Sequence, residues 1–422
     1  MRMSRLFTKT SKAAPHDAES ANAKLLMRGG FVHQEMAGVY SWLPLGLRVL
    51  RKVEAVIREE MDALGAQEVL MPALQPKENW MTTARWDSMD DLYKVTSRTD
   101  KEFALGPTHE EIVTPLVRDF VRSYKDLPTA VYQIQTKYRD ELRPKSGVLR
   151  GREFGMKDLY SFHATKEDLD AFYAEAIEAY VRVFTRCGVD VKVVEASGGA
   201  FTKKFSHEFQ VETPAGEDVI LACGACTFAQ NGEIATLKEG DACPQCGAPL
   251  ALTKGVEAGN IFDLGQRFSE PFDFGVTMED GSRQLVYMGC YGIGSTRLVG
   301  TIVEAKHDDR GMIWPKGVAP MPVHLVALSS KDVATHAKIM ETAEGIHDDL
   351  MASGTEVLWD DRDASPGEKL ADADLIGLPL RLLVSEKTLV EDAVEWKLRA
   401  SDESRLVKHG DVMEEVATFV KE

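Results

Sequence analysis

The chain has 422 residues, 44% of them apolar and 28% charged, the composition of a folded enzyme with room for more than one domain and not of a disordered chain. Its 50 Lys and Arg stand against 67 Asp and Glu, a net charge of -17, which excludes broad non-specific grip on nucleic acid, because that rests on phosphate neutralisation. No apolar run reaches the ~18 residues of a membrane helix.

The start is basic and carries Ser and Thr, as a transit peptide does, but Asp17 and Glu19 arrive early and no apolar core follows. A cytoplasmic protein is expected. "LGLRVLRKVEAVIREEMDALG" predicts an amphipathic helix, with Leu47, Leu50, Val53, Ile57, Met61 and Leu64 at helical spacing and Gly65 as its C-terminal cap. "QEVLMPAL" predicts a short strand confined to an edge or boundary by Pro72. "TAVYQIQTKYRDEL" and "EFGMKDLYSFH" read as partner strands around a loop. "TKEDLDAFYAEAIEAYVRVFTRCG" reads as a helix, with Thr165 and Asp168 in a capping-box pattern, a stripe of Leu169, Phe172, Ala176, Tyr180 and Val183, and Gly188 at its end. Cys187 lies beside that stripe and is expected to be a core thiol. "RQLVYMGCYGIGSTRLVGTIVEAKH" reads as strand, glycine-rich turn and helix. "WPKGVAPMPV", with three prolines in ten residues, is the linker candidate. Beyond it, strand-like and helical segments alternate as in a small α/β unit with a partly parallel sheet.

Four of the six cysteines fall as C-x2-C-x16-C-x2-C: Cys223, Cys226, Cys243 and Cys246. This spacing predicts a tetrahedral four-thiolate zinc site, structural because no coordination position stays open. Two local disulfides or a redox pair are the alternatives. Zinc would staple a segment too short to build its own core.

"YRDELRPKSGVLRGREF" puts Arg139, Arg143, Lys145, Arg150 and Arg152 within seventeen positions of an acidic chain. A charge run is ordinarily a solvated face. Here Asp140, Glu141 and Glu153 are interleaved, and a second polar cluster, "GPTHEE", precedes the run. Guanidinium forks pair bidentately with phosphate, so a triphosphate ligand is the candidate. "GCYGIGSTR" adds Gly289, Gly292 and Gly294, where backbone can approach a ligand closely, and Arg297 just inside a helix.

Together these segments resemble the three motifs of a class II aminoacyl-tRNA synthetase, and specifically the bacterial prolyl-tRNA synthetases. The helix ending in "EVLMPAL" resembles motif 1, which builds the dimer interface. "YRDELRPKSGVLRGREF" resembles motif 2 and "MGCYGIGSTRLVG" motif 3. "LGPTHEE" and "FSHEFQVE" are similar to stretches lining the proline pocket, and "DDRDASPGEKLADADLIGLP" is similar to the anticodon-binding domain. The likeness covers nearly the whole chain.

The resemblance implies a class II antiparallel-sheet catalytic domain over 1–317, with a zinc-knuckle insertion at 220–255, and an α/β anticodon-binding domain over 318–422. It implies proline activation by ATP and transfer to tRNA(Pro), with Mg2+ as the ATP counterion and a homodimer as the assembly. Arg139 resembles the arginine holding the α-phosphate and the amino-acid carboxylate. Glu141 resembles the acid that fixes its geometry, and with Arg297 these are the catalytic candidates. Arg150 would hold the γ-phosphate end, Phe154 and Arg297 would cover the two faces of adenine, and Ser295 completes the ATP-binding set. Thr108 and Glu110 resemble the pair that receives the prolyl amine, and His207 the pocket histidine. Lys145 resembles a position meeting the tRNA acceptor end, where arginine is commoner. Many bacterial relatives carry a large insertion between motifs 2 and 3 that hydrolyses alanyl-tRNA. Here the zinc segment stands in its place, and Thr202, Lys203 and Lys204 stand where small residues are usual. Two rival readings stay open: a non-catalytic synthetase-like protein, and a synthetase for another amino acid.

Overall fold

The stripe centred on Val53 does form a helix. In the computed structural model, which describes residues 1–14, 18–199, 201–202 and 205–421, helix α1 runs Pro44–Ala63. It buries Val53, Ile57 and Met61 completely and ends before Gly65, whose φ of +78° suits glycine. The described residues fall into two compact units. One is Met1–Gln34, Ser41–Lys52 and Ile302–Glu422; the other is Glu35–Tyr40 and Val53–Thr301.

The second unit is built on a nine-stranded sheet. After the two-residue strand β1 (Gln67–Glu68) comes helix α2 (Glu110–Phe120). The expected strand pair follows as β2 (Thr129–Tyr138) and β3 (Glu153–His163), antiparallel from Thr129 opposite Phe162 to Tyr138 opposite Glu153. Helix α3 (Lys166–Arg186) leads to β4 (Lys192–Ser197), β5 (Phe205–Glu212), β6 (Asp218–Cys223), β7 (Ala229–Asn231), the sixteen-residue β8 (Leu250–Gly265) and β9 (Tyr287–Ile293), which turns into helix α4 (Ser295–Ala305). The spatial order is β5-β4-β7-β6-β8-β9-β3-β2-β1, and β5 also pairs with β8, so five strands close on themselves. "QEVLMPAL" breaks into two strand pieces: Gln67 and Glu68 on the sheet edge beside β2, and Leu74 at the start of a separate short strand, Leu74–Pro76. Pro72 has no amide hydrogen to extend the ladder.

Alternation along β3 decides which residues reach the site. Lys157, Ser161 and His163 face the α3 side, where Lys157 bonds Tyr180 and Ser161 meets Tyr291. Asp158, Tyr160 and Phe162 face the other side, where Tyr160 and Phe162 join Ile112, Val113 and Val117 of α2 in one apolar cluster. Thr165 caps α3 by accepting from the Asp168 amide at 3.2 Å, but the Asp168 carboxylate turns to His163 Nδ1 at 2.7 Å. The capping box is therefore only half made, because a buried imidazole is the stronger partner. Cys187 is fully buried at the helix end.

The other unit carries β10 (Val323–Ala327), helix α5 (Val333–Ala352), β11 (Val357–Asp360), helix α6 (Pro366–Ile376), β12 (Leu380–Val384), β13 (Ala393–Leu398) and β14 (Ser404–Lys408). The order is β11-β10-β12-β13-β14, parallel through β12 and antiparallel beyond it, the partly parallel sheet the pattern predicts. The N-terminus belongs here: the Met1 amine donates to the Val357 carbonyl at 2.6 Å, and the Trp359 amide donates back to Met1 at 2.8 Å. Among the described residues no helix is long and apolar enough to cross a membrane.

Candidate active site

A cavity of about 420 Å³ opens over the β3, β8 and β9 face of the nine-stranded sheet, and Arg139, Glu141, Arg150, Phe154 and Arg297 all line it. The β2–β3 hairpin supplies the first four. Its loop is braced from outside by Gly38: the Gly38 carbonyl accepts from the Arg152 amide at 2.8 Å. With φ at +78°, a Cβ on Gly38 would stand 2.7 Å from Pro144.

Each cation in the cavity meets an acid. Glu141 accepts from Arg150 Nε at 2.7 Å and from the Arg143 amide at 3.0 Å. Those bonds, the arginine's first, hold the carboxyl below its ordinary range. Glu217 stands 3.4 Å from Arg150 and 3.3 Å from Lys145. Arg297 lies 3.7 Å from Glu257, and Arg139 lies 3.8 Å from Asp91. The Arg139 guanidinium sits over the Phe154 ring at 5.2 Å. The Nε atoms of Arg139 and Arg297 are buried with no hydrogen-bond partner among the described residues. Such orphaned donors beside a flat aromatic ring fit a nucleotide with its phosphates. Gly292 and Gly294 line the same wall, and a Cβ at Gly294 would crowd Arg297 Cβ to 3.0 Å.

Thr108 lines the cavity floor. Glu110 stands behind it, fully buried, accepting from Thr108 Oγ1 at 2.6 and 2.8 Å and from Cys290 Sγ at 3.3 Å. A tight ionic layer continues beneath. Lys137 Nζ lies 2.7 Å from Asp158 Oδ1 and 2.8 Å from His109 Nδ1, and Tyr160 donates to Asp158 at 2.9 Å. Burial, then the Lys137 charge, pushes His109 down to about 4. Burial also lifts the Cys290 thiol, with Glu110 adding to the rise.

Besides Glu110, three of the expected residues stand off the cavity wall. The Ser295 side chain is buried and donates to Glu54 at 3.2 Å. His207 pairs with Tyr173 Oη at 2.8 Å. Lys145 lies on the hairpin loop, more than half exposed. Thr202 is half-buried; Lys203, Lys204 and Asp17 lie outside the described residues. The structure adds Asp158, Glu217, Asp218, Glu257, Asn260 and Cys290 to the lining. The acids among them carry no spacing signal, since the strands that bring them together are far apart in sequence. Cys290 sits inside the glycine-rich segment and was within reach of a reader of that motif.

The four cysteines form one cluster, with all Sγ atoms within 4.8 Å of one another. Cys223–Cys246 and Cys226–Cys243 are each 3.5 Å apart, and none of the four is disulfide-bonded. Metal–thiolate bonds near 2.3 Å give tetrahedral edges of ~3.8 Å, so the donor set fits a metal ion. The Ala225 amide donates to Cys223 Sγ at 3.3 Å.

Residues 93–306 match the model of the tRNA synthetase class II core domain (G, H, P, S and T), and 323–419 match the anticodon-binding domain. Among curated proteins, the chain is 35% identical to a proline–tRNA ligase of Acidithiobacillus ferrooxidans, over 98% of each chain. It is 35% identical to another from Moorella thermoacetica, over 96% of each. The first alignment runs to 567 positions against a chain of 422 residues, so that relative carries a long stretch with no counterpart here. Among solved structures, a prolyl-tRNA synthetase of Cryptosporidium parvum in complex with L-proline and AMP superposes with a TM-score of 0.77 at 18% identity, covering 95% of this chain and 74% of that one. With a class II core, an anticodon-binding domain and end-to-end identity to those ligases, the chain belongs to the proline–tRNA ligase family of class II aminoacyl-tRNA synthetases.

Proposed function

We propose that the chain activates L-proline with ATP to prolyl-adenylate and pyrophosphate, then transfers the prolyl group to the 3′ end of tRNA(Pro). The observation that carries this is the convergence of Arg139, Glu141, Arg150, Phe154 and Arg297 on one cavity above Thr108. A proline carboxylate attacks the α-phosphorus, and pyrophosphate leaves. Charge grows on the phosphoryl oxygens, where Arg139 and Arg297 stabilise it without reorganising. Arg150 is taken to hold the γ-phosphate end, Phe154 to stack on adenine, and Glu141 to orient the arginines. Ser295 supports the ATP site through the start of α4. No protein nucleophile is needed. Mg2+, when bound, would neutralise phosphate charge, and Glu141, Glu217, Asp218 and Glu257, which line the cavity, are the carboxylates that would hold it.

Thr108 and Glu110 are assigned to the prolyl amine, with His207 behind the pocket. Lys145, exposed at the loop, is assigned to the tRNA acceptor end. Zinc at the four cysteines is assigned a structural role. We take 1–317 as the catalytic domain with its 220–255 knuckle, 318–422 as the anticodon-binding domain, a homodimer as the assembly and the cytoplasm as the location. Leu50, Val53, Ile57 and Met61 of the α1 stripe are already buried inside the chain, so the dimer reading rests on family likeness. Pyrophosphate exchange with each of the twenty amino acids tests the function. Proline-dependent exchange is expected; exchange with another amino acid, or none, overturns it.

A further inference from the structure

Arg85 lies in the turn after a short helix, Lys77–Thr82, inside none of the motifs above. It is 5% exposed, and its guanidinium is sandwiched among the rings of Trp80, Phe201 and Phe268 at 5.2–5.4 Å. NH1 reaches Glu111 at 2.9 and 3.2 Å and Glu110 at 3.3 Å. Both carboxylates are fully buried. Thr83 Oγ1 donates to Glu111 at 2.9 Å, while Thr108 and Cys290 occupy the remaining faces of Glu110. A buried arginine needs acids, but one would suffice. Two carboxylates share this guanidinium, Arg267 acts on both as a second cation, and burial pushes Glu111 up to about 7. Beneath them, Lys137 and Asp158 form a neutral pair. Glu110 lies directly behind Thr108, on the cavity floor.

We infer that Arg85 is a positioning residue for the amino-acid pocket: it engages Glu111 and holds Glu110 against Thr108, so that the Glu110 carboxylate is fixed for the ammonium of the substrate. This rests on the proposed proline reading and extends it to a residue outside the motifs. Arg85 does not line the cavity and acts through Glu110. The phosphate-binding arginines are not in contact with it, so ATP should be indifferent to its loss.

The test is pyrophosphate exchange by the full chain, with KM for proline, KM for ATP and kcat measured on wild type, Arg85→Met and Arg85→Lys, and folding followed by thermal melt. Expected are a rise in KM for proline of roughly tenfold or more in Arg85→Met with KM for ATP within about twofold, and partial recovery in Arg85→Lys. If Arg85→Met does not fold, Arg85→Lys decides alone, since it keeps the charge and loses the fork. Proline KM unchanged in a folded variant overturns the inference, as does an equal rise for both substrates or no recovery with lysine. Wild type exchanging without proline dependence would instead overturn the functional reading on which the inference rests.

Discussion

Arg139 is held in place before any ligand arrives. Its ring contact with Phe154 and its approach to Asp91 leave Nε without a hydrogen-bond partner among the described residues. A donor kept ready for charge that develops only in the transition state should show in kcat. Arg139→Ala is expected to lower kcat for pyrophosphate exchange by roughly a hundredfold or more; near-normal exchange would remove its assigned role. His109 makes a pH prediction. Its pKa falls from 6.5 to about 4 on folding, chiefly by burial, so the unfolded chain binds the proton more readily. The stability it contributes is complete above pH 6.5 and is lost as pH falls through about 4. Melts between pH 7 and 4 should show a falling Tm, with a shallower slope in His109→Gln. An identical slope in the variant would place the acid sensitivity elsewhere.

At the scale of elements, the knuckle between β6 and β8 carries one short strand, β7, and a small core around its cysteines. That core joins Leu221, Cys223, Cys243 and Leu250, with Cys226, Phe228, Ala235, Leu237 and Ala248 packed against them, a small core for a loop of this length without the metal. One zinc per chain is expected by elemental analysis of unchelated protein, and Cys243→Ser is expected to lose the metal and loosen 223–250 to proteolysis. Exchange should survive in part, because the cysteines lie off the cavity wall. Absence of metal from the wild-type protein would refute the assignment. The same segment shows where local pattern succeeded and failed. The four-cysteine spacing was legible because metal geometry demands it. The closure of five strands through the β5–β8 pairing was not, because long-range pairing leaves no periodic mark.

Across the whole molecule, the N-terminal residues and the C-terminal sheet share one unit. Met1 bonds Val357, Ser4 bonds Asp361, Lys52 donates to the Ala319 carbonyl, and Arg48 pairs with Glu356. Deleting 318–422 strips these partners. The truncated chain is expected to melt roughly 5 °C or more below wild type, so lost exchange in it would report folding as well as tRNA binding. An unchanged melt would show the N-terminal segment stable by itself. The missing stretch relative to the longer ligases carries a second prediction. Alanine fits any pocket that admits proline, and losing ring carbons costs ~1–3 kcal/mol, or roughly 10- to 200-fold. The purified enzyme should activate alanine weakly and leave added alanyl-tRNA(Pro) intact beyond spontaneous decay. Fast hydrolysis, with contaminating deacylases excluded, would reveal an editing site.

The sequence by itself determined the elements and the motifs: the α1 and α3 stripes, the β2–β3 pair, the thiolate spacing and the arginine run. Each is a local consequence of helical or strand periodicity, turn chemistry or ligand geometry, so it survives in a linear text. Tertiary structure alone decided which acids face those arginines. Glu217, Glu257 and Asp91 come from separate segments, and only strand order brings them to one cavity. It also decided that most of the motif 1 stripe is spent inside its own chain, and that the Asp168 carboxylate serves His163 and leaves the cap half made. Above all it decided the role of Arg85, an unremarked residue in "TTARWDS". Burial turns it into the counter-charge of two carboxylates, because a charge removed from water must find its partners wherever the fold puts them.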